Sequence, residues 1–361
     1  MKIPFFPYSQ LYNDDKDNYL KIFDDVCSRG AYILQKDLVD FEQACKEFLN
    51  VKHVFGVANG TDALIIGLKA MGIGDGDEVI MPSHTYIASA ASVHLVGGKV
   101  ILCECGEDGM IDTEDIKHRV SKKTKAIMPV HINGRTCSMD LISDIAQENN
   151  LLVVEDAAQG FGSKYKGKSA GTFGSFGTIS FYPAKLLGCF GDGGLIMTND
   201  DNTAKQISLL RDHGRDEEGR VIDWGLNSRL DNLQAAILNH KLKTYKIDIE
   251  RRREIARMYN DGLSHNDNLK LPFAPDSGDH FDVYQNYELR AQSRDELKAF
   301  LAKNGIGTII QWAGTPVHQF KELGFESNLV KTDRFFEECL MLPMNMGIND
   351  NEVKFVIDKV N

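Results

Sequence analysis

SFGTISFYPAKLLGCFGDGG, residues 175–194, carries a lysine where a surface charge is out of place. The stretch opens on Thr178, Ile179, Ser180, Phe181 and Tyr182, a run of residues that favour a pleated, half-buried strand. Pro183 removes a backbone donor and ends any central strand. Lys185 follows, then glycines at 188, 191, 193 and 194. A lysine leaving a buried strand into a glycine-rich turn is desolvated, loses its proton more easily, and is placed to condense with a carbonyl. On this stretch alone an exposed loop lysine, the ordinary fate of lysine, is the commoner reading, and the rest of the chain reverses it.

Working outward, apolar strands and helices alternate. Helical spacing of Leu38, Phe41, Ala44 and Phe48 predicts a helix over 36–49. Strands are expected at 54–58, 78–82, 99–103, 126–131, 151–154, 178–182 and 195–198. Helices are expected at 63–71, 89–96 and 139–149, and a short one capped by Thr113. Strands that are apolar throughout and separated by helices argue for an α/β fold with a large, mainly parallel sheet covered on both faces. Beyond Gly194 a long helix is expected over 233–259, then strands near 284–289 and 308–311 and helices over 295–304 and 350–359. The pattern resets near residue 250, so the chain reads as a large domain, 1–249, and a smaller C-terminal α+β domain, 250–361.

Composition narrows the function. A net charge of −11 without a basic run disfavours nucleic acid and anionic membranes. No apolar run is long enough to span a bilayer and no signal segment opens the chain. The seven cysteines lack a C-x-x-C pair, which argues for reduced thiols in a cytoplasmic protein and against a zinc site or any other metal centre.

Two segments compete for phosphate. Gly162–Ser169, GSKYKGKS, matches the P-loop pattern literally, but no helical period follows it, and alternation about Lys166-Gly167 reads as an exposed hairpin. Asn59-Gly60-Thr61 leaves a strand and opens a helix, the setting in which free amides and the helix dipole bind one phosphate. In a parallel sheet ligands sit at the carboxyl ends of the strands, where Asn59–Thr61, Ser83–Tyr86 and Asp156 all fall. One cofactor uses them together. Pyridoxal 5′-phosphate (PLP) needs a lysine for its aldehyde (Lys185) and a carboxylate against its pyridine nitrogen (Asp156). It also needs an anion site (Gly60, Thr61, Ser180) and a flat group over its ring (Tyr86).

Those residues resemble a known family. Glu155-Asp156-Ala157-Ala158-Gln159, Ser180–Gly188 and Gly191-Asp192-Gly193-Gly194 are similar to the DegT/DnrJ/EryC1/StrS sugar aminotransferases. So are Asn59–Leu64, Pro82–Tyr86 and Asn227–Asp231 with Gln234-Ala235-Ala236. The resemblance spans nearly the whole chain in order. It implies the fold type I architecture of PLP-dependent transferases and a homodimer with two shared active sites. The implied reaction moves an amino group, usually from glutamate, to a nucleotide-linked keto sugar in amino-sugar and surface-polysaccharide biosynthesis.

Residue by residue, the resemblance makes Lys185 the Schiff-base lysine and Asp156 the pyridine partner. Gln159 stands near the ring 3-hydroxyl and Tyr86 stacks. Gly60, Thr61 and Ser180 hold the phosphate, and Asn227 comes from the other subunit. Relatives with histidine at the Lys185 position act as dehydratases; this chain has lysine. The Tyr-Pro and Gly-Asp-Gly-Gly settings look more like members acting on 3-keto sugars, such as a 3-keto-6-deoxyhexose, than at C4. Gln311–His318 departs from the usual Tyr-Pro-x-Pro-x-His stretch; His318 still matches and is a candidate substrate contact. The alternatives are an amino-acid aminotransferase or lyase of the same fold, a PLP-holding regulator, which would need a basic DNA-binding module, and a P-loop kinase or ATPase built on Lys168.

Overall fold

A computed structural model describes residues 2–361. Its large sheet has seven strands, β1 (His53–Val57), β2 (Glu78–Pro82), β3 (Lys99–Cys103), β4 (Thr124–Ile127), β5 (Leu152–Asp156), β6 (Phe176–Ser180) and β7 (Gly194–Thr198), in the order β1-β7-β6-β5-β4-β2-β3. Parallel pairing joins β3, β2, β4, β5 and β6. Both β1 and β6 pair antiparallel with β7, so among the described residues β7 alone runs against the rest of this sheet. Strands β2 and β7 are buried along their whole length, as expected for residues covered on both faces.

One face packs on the helices Lys36–Leu49 and Asn232–Leu242 through Leu38, Phe41, Phe181 and Leu238. The other packs on Gly60–Ala70, Ile87–Leu95 and Asp201–Arg211 through Ile66, Val93 and Ile207. A second, three-stranded antiparallel sheet is built from Leu269–Lys270, Tyr287–Ala291 and Cys339–Leu342. Its core draws on residues 255–360 and on Ile3, whose N–H and C=O bond Gly305 O and Gly307 N, each at 2.8 Å.

Several elements differ from the sequence reading. The helix expected over 233–259 is two, Asn232–Leu242 and Tyr245–Leu263, because the chain turns at Lys243-Thr244. The strand near 308–311 is a single bridge, Ile309 to Met341. Trp312 and Ala313 then take left-handed backbone (φ 47° and 57°) and stop any ladder. Asp112, not Thr113, caps the helix Thr113–Arg119, accepting from the amides of Glu114 and Asp115 at 3.0 and 3.3 Å. Gly162–Ser169 is the expected hairpin: Lys164–Tyr165 pairs antiparallel with Lys168–Ser169, and His280–Phe281 adds a third strand. No helix opens from it, which removes the phosphate-cradling geometry a P-loop needs.

Candidate active site

The carboxyl ends of β1, β2, β5 and β6 converge on a cavity of about 490 Å³. Gly60, Thr61, Tyr86, Asp156, Gln159, Ser180 and Lys185 all line it, so seven of the nine residues singled out in the sequence are brought together. Each arrives by a local rule. Asn59 caps the helix Gly60–Ala70, its side chain accepting from Asp62 N at 2.8 Å, which leaves the first amides of that helix facing the cavity. Asp156 is the last residue of β5, and Ser180 the last of β6. Tyr86 precedes the helix Ile87–Leu95 and is half exposed, with its ring free to cover a ligand.

Glycine is required where chains meet. A Cβ on Gly194 would stand 2.5 Å from Asn59 C and 2.9 Å from Gly60 N, so only glycine lets β7 start beside the helix terminus. A Cβ on Gly188 would stand 2.7 Å from Pro183 O, which ties the turn carrying Lys185 closely on itself.

Asp156 is buried, and its carboxylate is held at both oxygens. Ser89 Oγ donates to Oδ2 at 2.7 Å and the Ala158 N–H to Oδ1 at 3.1 Å. Ser89 has one proton and gives it to Asp156, so Thr85 is the donor in its own 2.7 Å contact with Ser89. Lys185 has its pKa pulled down to about 8 by desolvation, with the Asp156 charge opposing part of that fall. Gln159 accepts from Asn133 N through Oε1 at 2.7 Å, which leaves its amide nitrogen as the donor.

Behind Asp156, Glu155 is fully buried on the other face of the strand and accepts the amides of Gly171, Phe173 and Gly174 at 2.8, 2.6 and 2.7 Å. His131 Nε2 lies 2.9 Å from the same carboxylate. Because the Cys137 N–H donates to His131 Nδ1 at 3.1 Å, the ring proton sits on Nε2 and is given to Glu155.

Asn227 and His318 are not in the cavity wall. Asn227 is exposed, its backbone bridged to Asp212. His318 is buried with Nδ1 2.8 Å from Ser83 Oγ and Nε2 2.9 Å from Asp333 Oδ1, and burial lowers its pKa. Its Nδ1 is engaged by Ser83, whereas Nε2, close to Asp333, makes no aligned hydrogen bond. The sequence reading placed Thr85 at a ligand-bearing strand end within Ser83–Tyr86, and missed Ser89, Asp192 and Trp312 as lining residues. Ser89 was recoverable, since it lies one helical turn beyond Thr85 and Tyr86; Trp312 lies in the very segment that departs from the family pattern.

A desolvated amine, a fixed carboxylate, a free helix terminus with a hydroxyl, and an uncovered aromatic ring fit PLP group for group. The fold and this site define a PLP-dependent aminotransferase of the α/β type. The chain belongs to the DegT/DnrJ/EryC1/StrS aminotransferase family, which it matches over residues 13–361. It is 37% identical over 362 residues to the dTDP-3-amino-3,6-dideoxy-alpha-D-galactopyranose transaminase of Aneurinibacillus thermoaerophilus, covering 99% of each chain. It is 36% identical to a pleiotropic regulatory protein of Geobacillus stearothermophilus, over 100% of this chain and 98% of that one. Among solved structures, S. venezuelae DesV in complex with a ketimine intermediate superimposes with a TM-score of 0.95 at 34% identity, over 99% of this chain and 97% of that one.

Proposed function

We propose that this aminotransferase moves an amino group from an amino-acid donor, glutamate, to a keto sugar carried on a nucleotide, with the 3-keto carbon of a 6-deoxyhexose as acceptor. The observation that carries the reading is the meeting of Lys185, Asp156 and the Gly60–Thr61 helix terminus in one cavity. Bound PLP supplies the aldehyde and an electron-accepting ring. Lys185 would hold the aldehyde covalently and, as a free amine, would move the proton at the reacting carbon; its desolvated setting, which lowers its pKa, favours the neutral form that both roles need. Asp156 keeps the ring nitrogen protonated, and Ser89 keeps Asp156 aimed. Gly60, Thr61 and Ser180 hold the phosphate, Gln159 donates toward the 3-hydroxyl, and Tyr86 covers the ring. The 3-keto assignment draws on the Aneurinibacillus relative, whose name specifies a 3-amino sugar.

The working unit is a homodimer in which Asn227 reaches the neighbour's phosphate. Its exposure outside its own cavity fits that role, as do the exposed apolar side chains of Val221, Ile222 and Trp224 just before it. His318 then belongs to the scaffold beneath Ser83, and its part in substrate contact is indirect. The division into domains 1–249 and 250–361 is supported by the separate small sheet, with Ile3 packed onto the second unit. A cytoplasmic setting is supported by seven free cysteines; among the described residues no helix is long and apolar enough to cross a membrane.

The test is a half-reaction screen. Protein in the aminated cofactor form is mixed with nucleotide-linked 3-keto sugars, 4-keto sugars and free 2-keto acids, and return of the aldehyde-form absorbance is followed. Fastest return with a 3-keto sugar is expected. Return with 2-keto acids alone would make the protein an amino-acid aminotransferase.

A further inference from the structure

The turn that carries Lys185 is gripped from the small three-stranded unit by one side chain. Gln285 Oε1 accepts the Leu186 N–H at 2.6 Å, and Gln285 Nε2 donates to Ala184 O at 2.8 Å. The two bonds land on the residues immediately before and after Lys185, one on a donor and one on an acceptor. Only a primary amide of this length offers both on one planar group. The grip is itself anchored. Gln285 is buried, and Arg252 Nη1 donates to Tyr284 O and Gln285 O, each at 2.9 Å. Tyr284 takes left-handed backbone (φ 50°), costly for an aromatic residue, and its hydroxyl is tied to Phe273 O at 2.7 Å. Strain accepted just before Gln285 directs its side chain at the lysine turn.

Within the turn itself, Lys185 N–H reaches Tyr182 O at 2.8 Å, so Ala184–Leu186 is fixed from both sides. We infer that Gln285 is a positioning residue for Lys185: it sets the backbone from which the amine swings, and so governs how readily that amine meets the cofactor aldehyde. The inference rests on the reading of Lys185 as the cofactor-bearing lysine. The step it governs is addition of the Nζ lone pair to the aldehyde carbon, with the aldehyde oxygen leaving as water and a C=N bond forming.

The experiment compares two cofactor forms on cofactor-free protein. PLP must be captured covalently, whereas pyridoxamine 5′-phosphate uses the same phosphate and ring contacts and makes no bond to lysine. In Gln285→Glu an oxygen faces Ala184 O in place of the donor; in Gln285→Met both bonds are lost. Each variant is expected to capture PLP at least about tenfold more slowly, read as growth of the visible band, because a small misplacement of the attacking atom is costly. Affinity for pyridoxamine 5′-phosphate should stay at the parent value. Capture at the parent rate in a folded variant overturns the inference, and so does a loss of pyridoxamine 5′-phosphate affinity that matches the loss of capture. In the unmodified protein the Leu186 amide should exchange hydrogen slowly; exchange as fast as at an unbonded amide overturns the inference without any variant. Borohydride followed by peptide mapping separates the failures, since a pyridoxyl label away from Lys185 refutes the lysine assignment and not the grip.

Discussion

At Lys185 the surroundings favour the neutral amine, and this has two measurable consequences. Its pKa near 8 lies below the ordinary lysine value of about 10.4, so between these two pH values the unfolded chain binds more protons than the folded one. Stability of the cofactor-free protein should rise with pH across that window. Lys185→Met should therefore stabilise the cofactor-free protein at pH 7, with the gain fading as pH climbs through 8 towards 10; urea unfolding at a series of pH values checks the sign. Lys185→Ala should still bind the cofactor non-covalently and fail to turn over. Asp156→Asn should fold and lose activity by about 100-fold or more, since an amide cannot hold the ring nitrogen protonated. Ser89→Ala removes one charge-assisted hydrogen bond from Asp156 and should cost about tenfold in kcat, with a smaller change in KM. Steady-state kinetics beside thermal melting separates these effects from unfolding.

At the level of elements, β5 ends in two carboxylates with opposite duties. Asp156 faces the cavity, and Glu155 holds the 171–174 loop behind it. Glu155→Ala would strand three amides and the His131 N–H in a dry interior, so a loss of about 3 kcal/mol or more is expected in chemical denaturation. Gly194→Ala should cost about 2 kcal/mol or more, and should weaken phosphate binding as well, because the clash falls on Asn59 and Gly60. The strands of the large sheet were legible because β2, β5 and β7 are short apolar runs set between turn residues. The cavity was legible because β1, β2, β5 and β6 end in residues with a chemical function. Other parts were not. The break at Lys243-Thr244 carries no glycine or proline, and helical residues run through it. The helix Lys16–Ser28 buries only Tyr19 and Val26, too sparse a stripe to show a period. Trp312 enters the cavity through two left-handed residues that no propensity for tryptophan or alanine anticipates. Gln285 acts through hydrogen bonds across a long sequence separation, which leave no local mark.

For the whole molecule, the shared-site reading predicts complementation. Subunits inactivated by Lys185→Ala and subunits inactivated by Asn227→Asp should regain activity when mixed. Each mixed dimer would hold one site free of both lesions and one carrying both. Recovery after subunit exchange is the expected result; mixed dimers seen by native mass spectrometry without recovery would place Lys185 and Asn227 of one chain in one site. The closure of the smaller unit on Ile3 bears on the order of assembly. Ile3 is hydrogen-bonded to Gly305 and Gly307 and packs with side chains as far along as Val360. On the ribosome, then, a segment that emerges well ahead of residues 255–360 has to wait for them before it finds its place. Loop closure over such a span is slow, so the apolar Ile3-Pro4-Phe5-Phe6 segment stays uncovered through most of synthesis. Variants that slow completion of the small sheet would lengthen the time this segment is open to aggregation or chaperone capture, even if the finished enzyme were no less stable.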